Sequence, residues 1–306
     1  MATATYKRNH TGSPVITTLT LRPLGLLTFK EVAMTDLSQD FYVLIDADIV
    51  AYQTATVAEQ LDPFDGTPRK DICLKDLVDL ACKDIKELHE VFEEPTHVVL
   101  VFSPADRSNF RKKVDSTYKQ NRNPKPKPKM YWELVRELKT IYNNVEINGL
   151  EGDDVLGIMH TRNPKNSVMV SSDKDMKTIP GRLYDFHHNE HHDISRNQAN
   201  YNWMYQTLMG DTADGYPGCP GIGKKKAAAI LPPLDDNEDE DVYLERLWFE
   251  VLETYRAYYK NPDVAESAAV RQARLARILR CTDYDWVDQS VRLWHPKEEV
   301  NLPLRR

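Results

Sequence analysis

The residues best suited to chemistry gather first at Gly149-Leu150-Glu151-Gly152-Asp153-Asp154-Val155-Leu156-Gly157. Three carboxylates stand within four residues, and Val155, Leu156, Ile158 and Met159 follow as an apolar helical run. Burial of that run holds the acids at a helix start, facing a cleft. Carboxylates this close raise one another's pKa, and a divalent cation held by oxygen ligands relieves the repulsion. A solvated acidic helix start is the plainer alternative, because Asp and Glu are favoured there anyway. More acids recur in the same style at Asp46, Asp48, Asp106, Asp173, Asp175, Asp211 and Asp214. So many acids suit two hard cations better than one. Two such ions roughly 3.5–4 Å apart can activate a water and stabilise the leaving oxygen of a phosphodiester.

The elements that must position these acids are legible around them. Phe41-Tyr42-Val43-Leu44-Ile45 is a continuous apolar run, as in a strand buried on both faces, and it ends at Asp46-Ala47-Asp48. Ligands of open α/β sheets bind at that end. A polar loop is expected next, then a helix over residues 72–92 and a strand over 97–102 with Asp106 just past it. Short strands are expected at 145–147, 167–171 and 183–186, with Ser172-Asp173-Lys174-Asp175 closing the middle one. In a parallel sheet all these strand-end acids land on one edge, which is more specific than any single Asp-x-Asp.

Residues 107–139 carry eleven basic and three acidic residues, net +8 in a chain of net charge -7. Asn123-Pro124-Lys125-Pro126-Lys127-Pro128-Lys129 cannot be helical, and extended polyproline geometry suits it. With Tyr118, Tyr131 and Trp132 on its flanks, this basic crossing fits a phosphate chain and unstacked bases better than a solvated linker.

A helix over 198–209 leads to Gly210-Asp211-Thr212-Ala213-Asp214-Gly215 and then Gly218-Cys219-Pro220-Gly221-Ile222-Gly223-Lys224-Lys225-Lys226. The glycines bare backbone N–H groups before a second helix that runs to about Leu231. Gly218 to Lys224 also matches part of a P-loop, but Lys225 stands where Ser or Thr must meet Mg²⁺, and no strand precedes it. The run reads instead as a clamp on a duplex backbone. Asp235 to Asp241 reads as a solvated, mobile acidic loop. An amphipathic stretch spans 242–259, and a helix is expected over 262–280. Its Arg271, Arg274, Arg277 and Arg280 form a ridge that meets either phosphates or acidic neighbours. Trp286 and Trp294 pack the C-terminal region down. His187, His188, His191 and His192 could bind zinc at i, i+4 spacing on a helix, but their polar neighbours favour a loop.

The 306 residues suffice for one large or two small domains. Cys73, Cys82, Cys219 and Cys281 form no CxxC pair, which argues against a disulfide scaffold or zinc ribbon and suits a reducing cytoplasm. No apolar run is long enough to cross a membrane, and Arg22 and Pro23 break the one near 15–29 that could imitate a signal peptide. Residues 1–36 read as a flexible extension, with Met34 as an alternative translation start.

The order Ile45-Asp46-Ala47-Asp48, Tyr118-Lys119-Gln120-Asn121-Arg122, Glu151-Gly152-Asp153-Asp154, Ser172-Asp173-Lys174-Asp175 and the glycine-rich run resembles the 5′-nuclease/flap-endonuclease family, and most of all the 5′→3′ exonucleases of short-tailed bacteriophages. The resemblance covers about residues 41–295. It implies an α/β fold: a PIN-like core over 37–197 with a mostly parallel sheet and a basic arch at 104–140, then a helix-three-turn-helix and C-terminal helical region over 198–306. Carried over by position, Asp46, Glu151, Asp153, Asp154, Asp173, Asp175, Asp211 and Asp214 match the metal-site acids, and Asp48 is included beside Asp46. Asp106 matches an acid beside the arch. Lys119 and Arg122 match the arch residues that act on the scissile phosphate. Tyr118, Asn121, Gly218, Gly221, Gly223, Lys224 and Lys225 are the expected DNA-binding residues. The resemblance implies two Mg²⁺, replaceable by Mn²⁺, and allows a K⁺ at the helix-three-turn-helix. The implied substrate is duplex DNA with a 5′ end or flap, or an RNA–DNA hybrid, with no membrane partner. The implied setting is phage replication, primer removal or host DNA degradation in the host cytoplasm. Two rivals are an aspartyl phosphatase using Asp46 and Asp48 and a branched-DNA-binding module that does not cut. The glycine-rich clamp and basic arch disfavour the first, and the full set of acids disfavours the second.

Overall fold

Six strands form the central sheet of the computed structural model, which describes residues 41–60, 72–92, 96–122 and 126–296 and the backbone of a two-residue strand pair, Lys7–Arg8 with Pro14–Val15. The expectations for the rest of residues 1–36, including Met34, and for Asn123-Pro124-Lys125 lie outside the described residues.

In chain order the strands are β1 (Phe41–Asp46), β2 (Thr96–Phe102), β3 (Asn143–Glu146), β4 (Ser167–Val170), β5 (Gly181–Asp185) and β6 (Glu190–Ile194). Across the sheet they run β3-β2-β1-β4-β5-β6. All neighbours are parallel except β5 and β6, an antiparallel hairpin. The central strands are apolar throughout because both faces are covered. On β1, Leu44 packs into one layer while Val43 and Ile45 pack into the other. On β4, Met169 and its neighbours Val168 and Val170 divide in the same way. Helices α1 (Ala47–Val57), α2 (Leu74–Glu90) and α4 (Tyr131–Ile141) line one face, and α5 (Gly152–Arg162) lines the other. The chain order reverses between β1 and β4, so the cleft beyond their carboxyl ends is the topological switch point where ligands of such sheets bind.

Helix α1 replaces the polar loop expected after Asp46. Ala47, Val50, Ala51, Thr54 and Ala55 are its buried positions, a helical stripe, and Asp46 caps it by accepting from the Ile49 N–H at 3.4 Å. Between β2 and α4 lie a single helical turn, α3 (Arg111–Val114), and the turns around Tyr118. The C-terminal part is mostly helical, with α6 (Arg196–Met209), α7 (Lys224–Ile230), α8 (Glu240–Tyr259) and α9 (Pro262–Ala276), and ends in a short antiparallel pair, Tyr284–Asp285 with Ser290–Val291. Trp203, Leu247, Tyr255 and Ala269 pack at its centre. Trp294 closes this core edge-on against Trp203 and Trp248, at 4.9 and 5.0 Å between ring centroids, as expected.

Three sequence expectations change here. The histidines lie on or beside the β5–β6 hairpin, where residues 191 and 192 pair with Tyr184 and Leu183 and point to opposite faces. No group of three potential metal ligands exists there among the described residues. Helix α9 stops at Ala276, and the arginines turn to the protein. Arg277 pairs with Asp283 at 2.8 Å, Arg274 donates to the Trp294 carbonyl at 2.8 Å, Arg280 donates to the Thr178 carbonyl at 3.1 Å and Arg271 faces Asp115 at 3.9 Å. The acidic loop is anchored: Asn197 donates to the carbonyls of Asp235 and Glu238, and Asp239 caps α8.

Candidate active site

Strand ends and helix starts deliver the acids to one edge. Asp46 ends β1 and accepts from the Ser171 hydroxyl, just past β4, at 2.8 Å. Glu151 and Asp153 start α5. Asp173 caps the 3-10 segment Lys174–Thr178 and accepts from the Asp175 N–H at 2.8 Å. Gly152 lets this start pack against the end of β2: its N–H donates to the Ser103 hydroxyl at 2.9 Å, and a Cβ there would sit 3.3 Å from that oxygen.

The electrostatics show an excess of negative charge at the centre. Burial pushes Asp46 up to about 7, and the charges of Asp48 and Asp173 add to it. Close packing raises Asp153 well above the carboxylate range, followed by repulsion from Asp46, Asp173 and Glu151. Burial and then Asp173 raise Asp175, whose Oδ1 accepts from Gln206 at 2.6 Å. At the rim the balance reverses. Burial disfavours the charged forms of Glu151 and Asp211, but Arg111 and Lys119 hold Glu151 down and Lys174 holds Asp211 down.

The basic crossing docks on the glycine-rich run. The Lys119 ammonium pairs with Glu151 and lies 3.5 Å from Asp214, and the Arg122 guanidinium pairs with Asp214. The Asn121 amide donates to the Thr212 carbonyl at 2.5 Å. Gly215, at φ +77°, leaves room for it, since a Cβ would come within 2.7 Å of the Asn121 oxygen. Lys174 bridges Asp175 and Asp211 at 3.2 and 3.0 Å. Lysine and arginine thus fill the spaces between acids, and among the described residues no three ligating side chains already converge on one point. The donor set is nonetheless one of hard oxygens around uncompensated charge, which fits a divalent cation such as Mg²⁺.

Several site expectations are revised by these contacts. Asp154 is fully buried and away from the open cleft. Its two oxygens accept from Arg111 at 2.7 and 2.8 Å and from the N–H groups of Leu279 and Glu151 at 3.1 and 3.2 Å. No face is left for a metal, so it serves as an anchor. Asp48 accepts from the Ser103 N–H at 2.9 Å and the Tyr131 hydroxyl at 3.0 Å, one bond per oxygen. It borders the site through its charge on Asp46. Tyr118 is only 3% exposed, so its ring cannot stack on a base. Its hydroxyl donates to Asp214 at 2.8 Å, and its ring stacks on Tyr216. Tyr131 is likewise buried, while Trp132 on the same flank is 44% exposed. Asp106 is exposed and accepts from the Ser108 N–H at 2.8 Å, outside the cluster.

Gly218 is buried at φ +66°, where its backbone crosses Gly210 so closely that a Cβ would lie 2.3 Å from the Gly210 nitrogen. Gly221, Gly223, Lys224 and Lys225 face outward at the start of α7. Arg111 is the residue that sequence reasoning missed. It counted only as one charge in a basic segment. In the fold it lies beneath Glu151 at 3.4 Å, grips Asp154, and donates to the carbonyls of Leu275 and Arg277. Local spacing gives no signal for contacts 40 to 166 residues away.

Residues 41–200 match the family model described as 5'-3' exonuclease, N-terminal resolvase-like domain. The chain is 27% identical over 299 residues to the exodeoxyribonuclease of Enterobacteria phage T3, covering 83% of this chain and 93% of that protein. It is 28% identical over 167 residues to the flap endonuclease Xni of Shewanella woodyi, covering 49% of this chain and 64% of that protein. Among solved structures, the T5 D15 protein co-crystallized with metal ions aligns with 77% of this chain and 99% of its own, at 15% identity and a TM-score of 0.48.

Proposed function

The chain belongs to the 5'-3' exonuclease family, and from that premise we propose that it hydrolyses phosphodiesters at DNA 5′ ends and 5′ flaps, in a divalent-metal-dependent reaction that leaves a 5′-phosphate. The observation that carries this reading is the crowding of mutually repelling acids along one edge beyond the switch point, Asp46, Asp153 and Asp173 with Asp175 beside them, and Lys119 and Arg122 latched to Glu151 and Asp214 at the rim.

Asp46, Asp153, Asp173 and Asp175 are the residues we assign to hold Mg²⁺, with Glu151, Asp211 and Asp214 as outer acids. When bound, two such cations supply Lewis acidity for the attacking and leaving oxygens. The chain's own groups do the rest. Lys119 and Arg122 exchange their carboxylate partners for the phosphate, stabilising its developing charge. Tyr118 holds Asp214 in place through its hydroxyl. The outward turn at Gly221 to Lys225 receives the duplex backbone, and the same turn would hold a K⁺, which would add positive charge there. Mn²⁺ is expected to replace Mg²⁺. The RNA strand of a hybrid is a second substrate of the same class, and a bacterial host cytoplasm is the setting of this reading, which the phage relative supports. Among the described residues no helix is long and apolar enough to cross a membrane. The contacts of Asp48 argue against an aspartyl phosphatase, since both its oxygens already have partners.

The test is cleavage of an internally labelled duplex and a matched 5′-flap substrate, with and without Mg²⁺, beside Asp153→Ala. Stepwise loss from the 5′ end or release of the flap, abolished by chelator and by the substitution, is expected. Tight structure-selective binding without cleavage in Mg²⁺ or Mn²⁺ would replace the nuclease with a binding module.

A further inference from the structure

Two lysines of the cleft each stand between two acids, but they are held differently. The Lys119 side chain, between Glu151 and Asp214, is 18% exposed. The Lys174 ammonium lies 3.2 Å from Asp175 and 3.0 Å from Asp211, on a side chain that is 71% exposed. The two acids beneath it are largely enclosed. Each is also fixed by groups other than Lys174. Asp175 Oδ1 accepts from the Gln206 amide of α6 at 2.6 Å. Asp211 Oδ1 accepts from the N–H groups of Ala213 at 2.7 Å and Asp214 at 3.3 Å. The Asp211 backbone pairs in both directions with Tyr216, at 2.9 and 3.1 Å. Oδ2 is the Asp211 oxygen that meets Lys174.

The gap between Asp175 and Asp211 therefore does not depend on the lysine that fills it. Its two carboxylates are held from behind, within reach of one cation, and the cation present is a point charge on a flexible, exposed stem. An ammonium and a divalent ion cannot share this gap, because like charges at contact distance repel strongly. We propose that Lys174 is a resident counter-ion that competes with a divalent cation for the Asp175–Asp211 gap, so that this metal position fills only as Lys174 swings out. This rests on the metal-dependent nuclease reading and names the residue that sets the affinity of its weaker metal. The competitor is part of the chain, so it lowers the apparent affinity by the fraction of time the gap is free. Exposed ion pairs are weak, which limits the reduction to about two- to five-fold. Two accounts compete with this one. In the first, Lys174 orders the acids and so aids metal binding. In the second, it is a surface lysine without effect on the metal.

Lys174→Met separates the three, because it keeps the stem and removes the charge at an exposed position. Mn²⁺ is titrated into the full chain without DNA, and the free ion is followed by electron paramagnetic resonance, with Mg²⁺ added as a competitor. Lys174→Met is expected to lower the Kd of the weaker Mn²⁺ position by about two- to five-fold and to leave the tighter one unchanged. Lys174→Arg, which keeps a cation in the gap, should bind Mn²⁺ like the unsubstituted protein. On an Asp211→Asn background the effect of Lys174→Met should shrink, and an undiminished effect would place the action of Lys174 outside the gap and overturn the proposal. An unchanged Kd in Lys174→Met also overturns it, as does weaker binding. Mn²⁺ binding without any cleavage of DNA would overturn the nuclease reading instead, and the Lys174→Met shift would still decide on the counter-ion. Absence of Mn²⁺ binding by both proteins would overturn the two together.

Discussion

Arg111→Met is expected to be among the most destabilising single substitutions in the protein. Arg111 is 3% exposed and Asp154 is 0% exposed, and they share two hydrogen bonds of 2.7 and 2.8 Å. Burial alone disfavours the guanidinium charge, but Asp154, with Tyr118 and Glu151, raises its pKa well above the ordinary value. Methionine fills the stem and removes the charge. The Asp154 carboxylate then keeps only the N–H groups of Glu151 and Leu279, and the carbonyls of Leu275 and Arg277 lose a donor. Breaking a buried pair from one side costs about 3–5 kcal/mol. At about 2–4 °C per kcal/mol for domains of this size, the melting temperature should fall by on the order of 10 °C. Thermal unfolding followed by circular dichroism reads this directly. Arg111→Met/Asp154→Leu removes both charges and should recover much of the loss, because no buried charge is then orphaned. A loss below about 1 kcal/mol in the single variant would refute the anchor role. So would strict additivity in the double-mutant cycle. Below its melting temperature the single variant should also cleave more slowly, since Arg111 links the segment bearing Lys119 to the helix bearing Glu151.

His160 supplies a pH signature. Burial, with Arg182 nearby, lowers it to about 4, and its Nε2 accepts from the Arg182 N–H at 3.1 Å, so Nδ1 donates to Ser167. The unfolded chain takes up a proton below about 6.5 that the folded one refuses. This contribution is therefore full above about pH 6.5 and is lost as pH falls toward 4, by roughly 3 kcal/mol in total. Denaturant unfolding at several pH values should show His160→Gln flattening that fall, and parallel pH profiles would rule it out. Gly181→Ala should cost at least about 1 kcal/mol because Gly181 sits at φ +116° and a Cβ would lie 2.0 Å from the His160 Nε2; an unchanged melting temperature would contradict the packing. Asp153→Asn should abolish cleavage yet raise the metal-free melting temperature by a few degrees, on the order of 1 kcal/mol, by relieving repulsion. A lower melting temperature would show that the crowded charge is not strained.

The strands, the acids at their ends and the acid-led helix α5 were legible in the sequence because each is local. An apolar run of five or six residues marks a strand covered on both faces, and the chain itself places the next polar residue at its carboxyl end. Helix α1 is legible too, in the stripe Ala47, Val50, Ala51, Thr54 and Ala55, although a polar loop was expected after Asp46. Which charges are available for chemistry was decided only by the tertiary structure. Asp153 and Asp154 are adjacent in sequence, yet one faces the cleft and the other is consumed by Arg111, because successive helix positions point about 100° apart and Arg111 arrives from 43 residues away. Tyr118 reads as a base-stacking residue until Tyr216 covers its ring. Arg277 reads equally as a phosphate contact or as the partner of an acid until Asp283 and Trp203 enclose it. Spacing along the chain records which residues share a helix or strand face. It does not record which distant group comes to neutralise a charge, and in a buried site that partner decides whether a carboxylate can bind a metal or only hold the fold together.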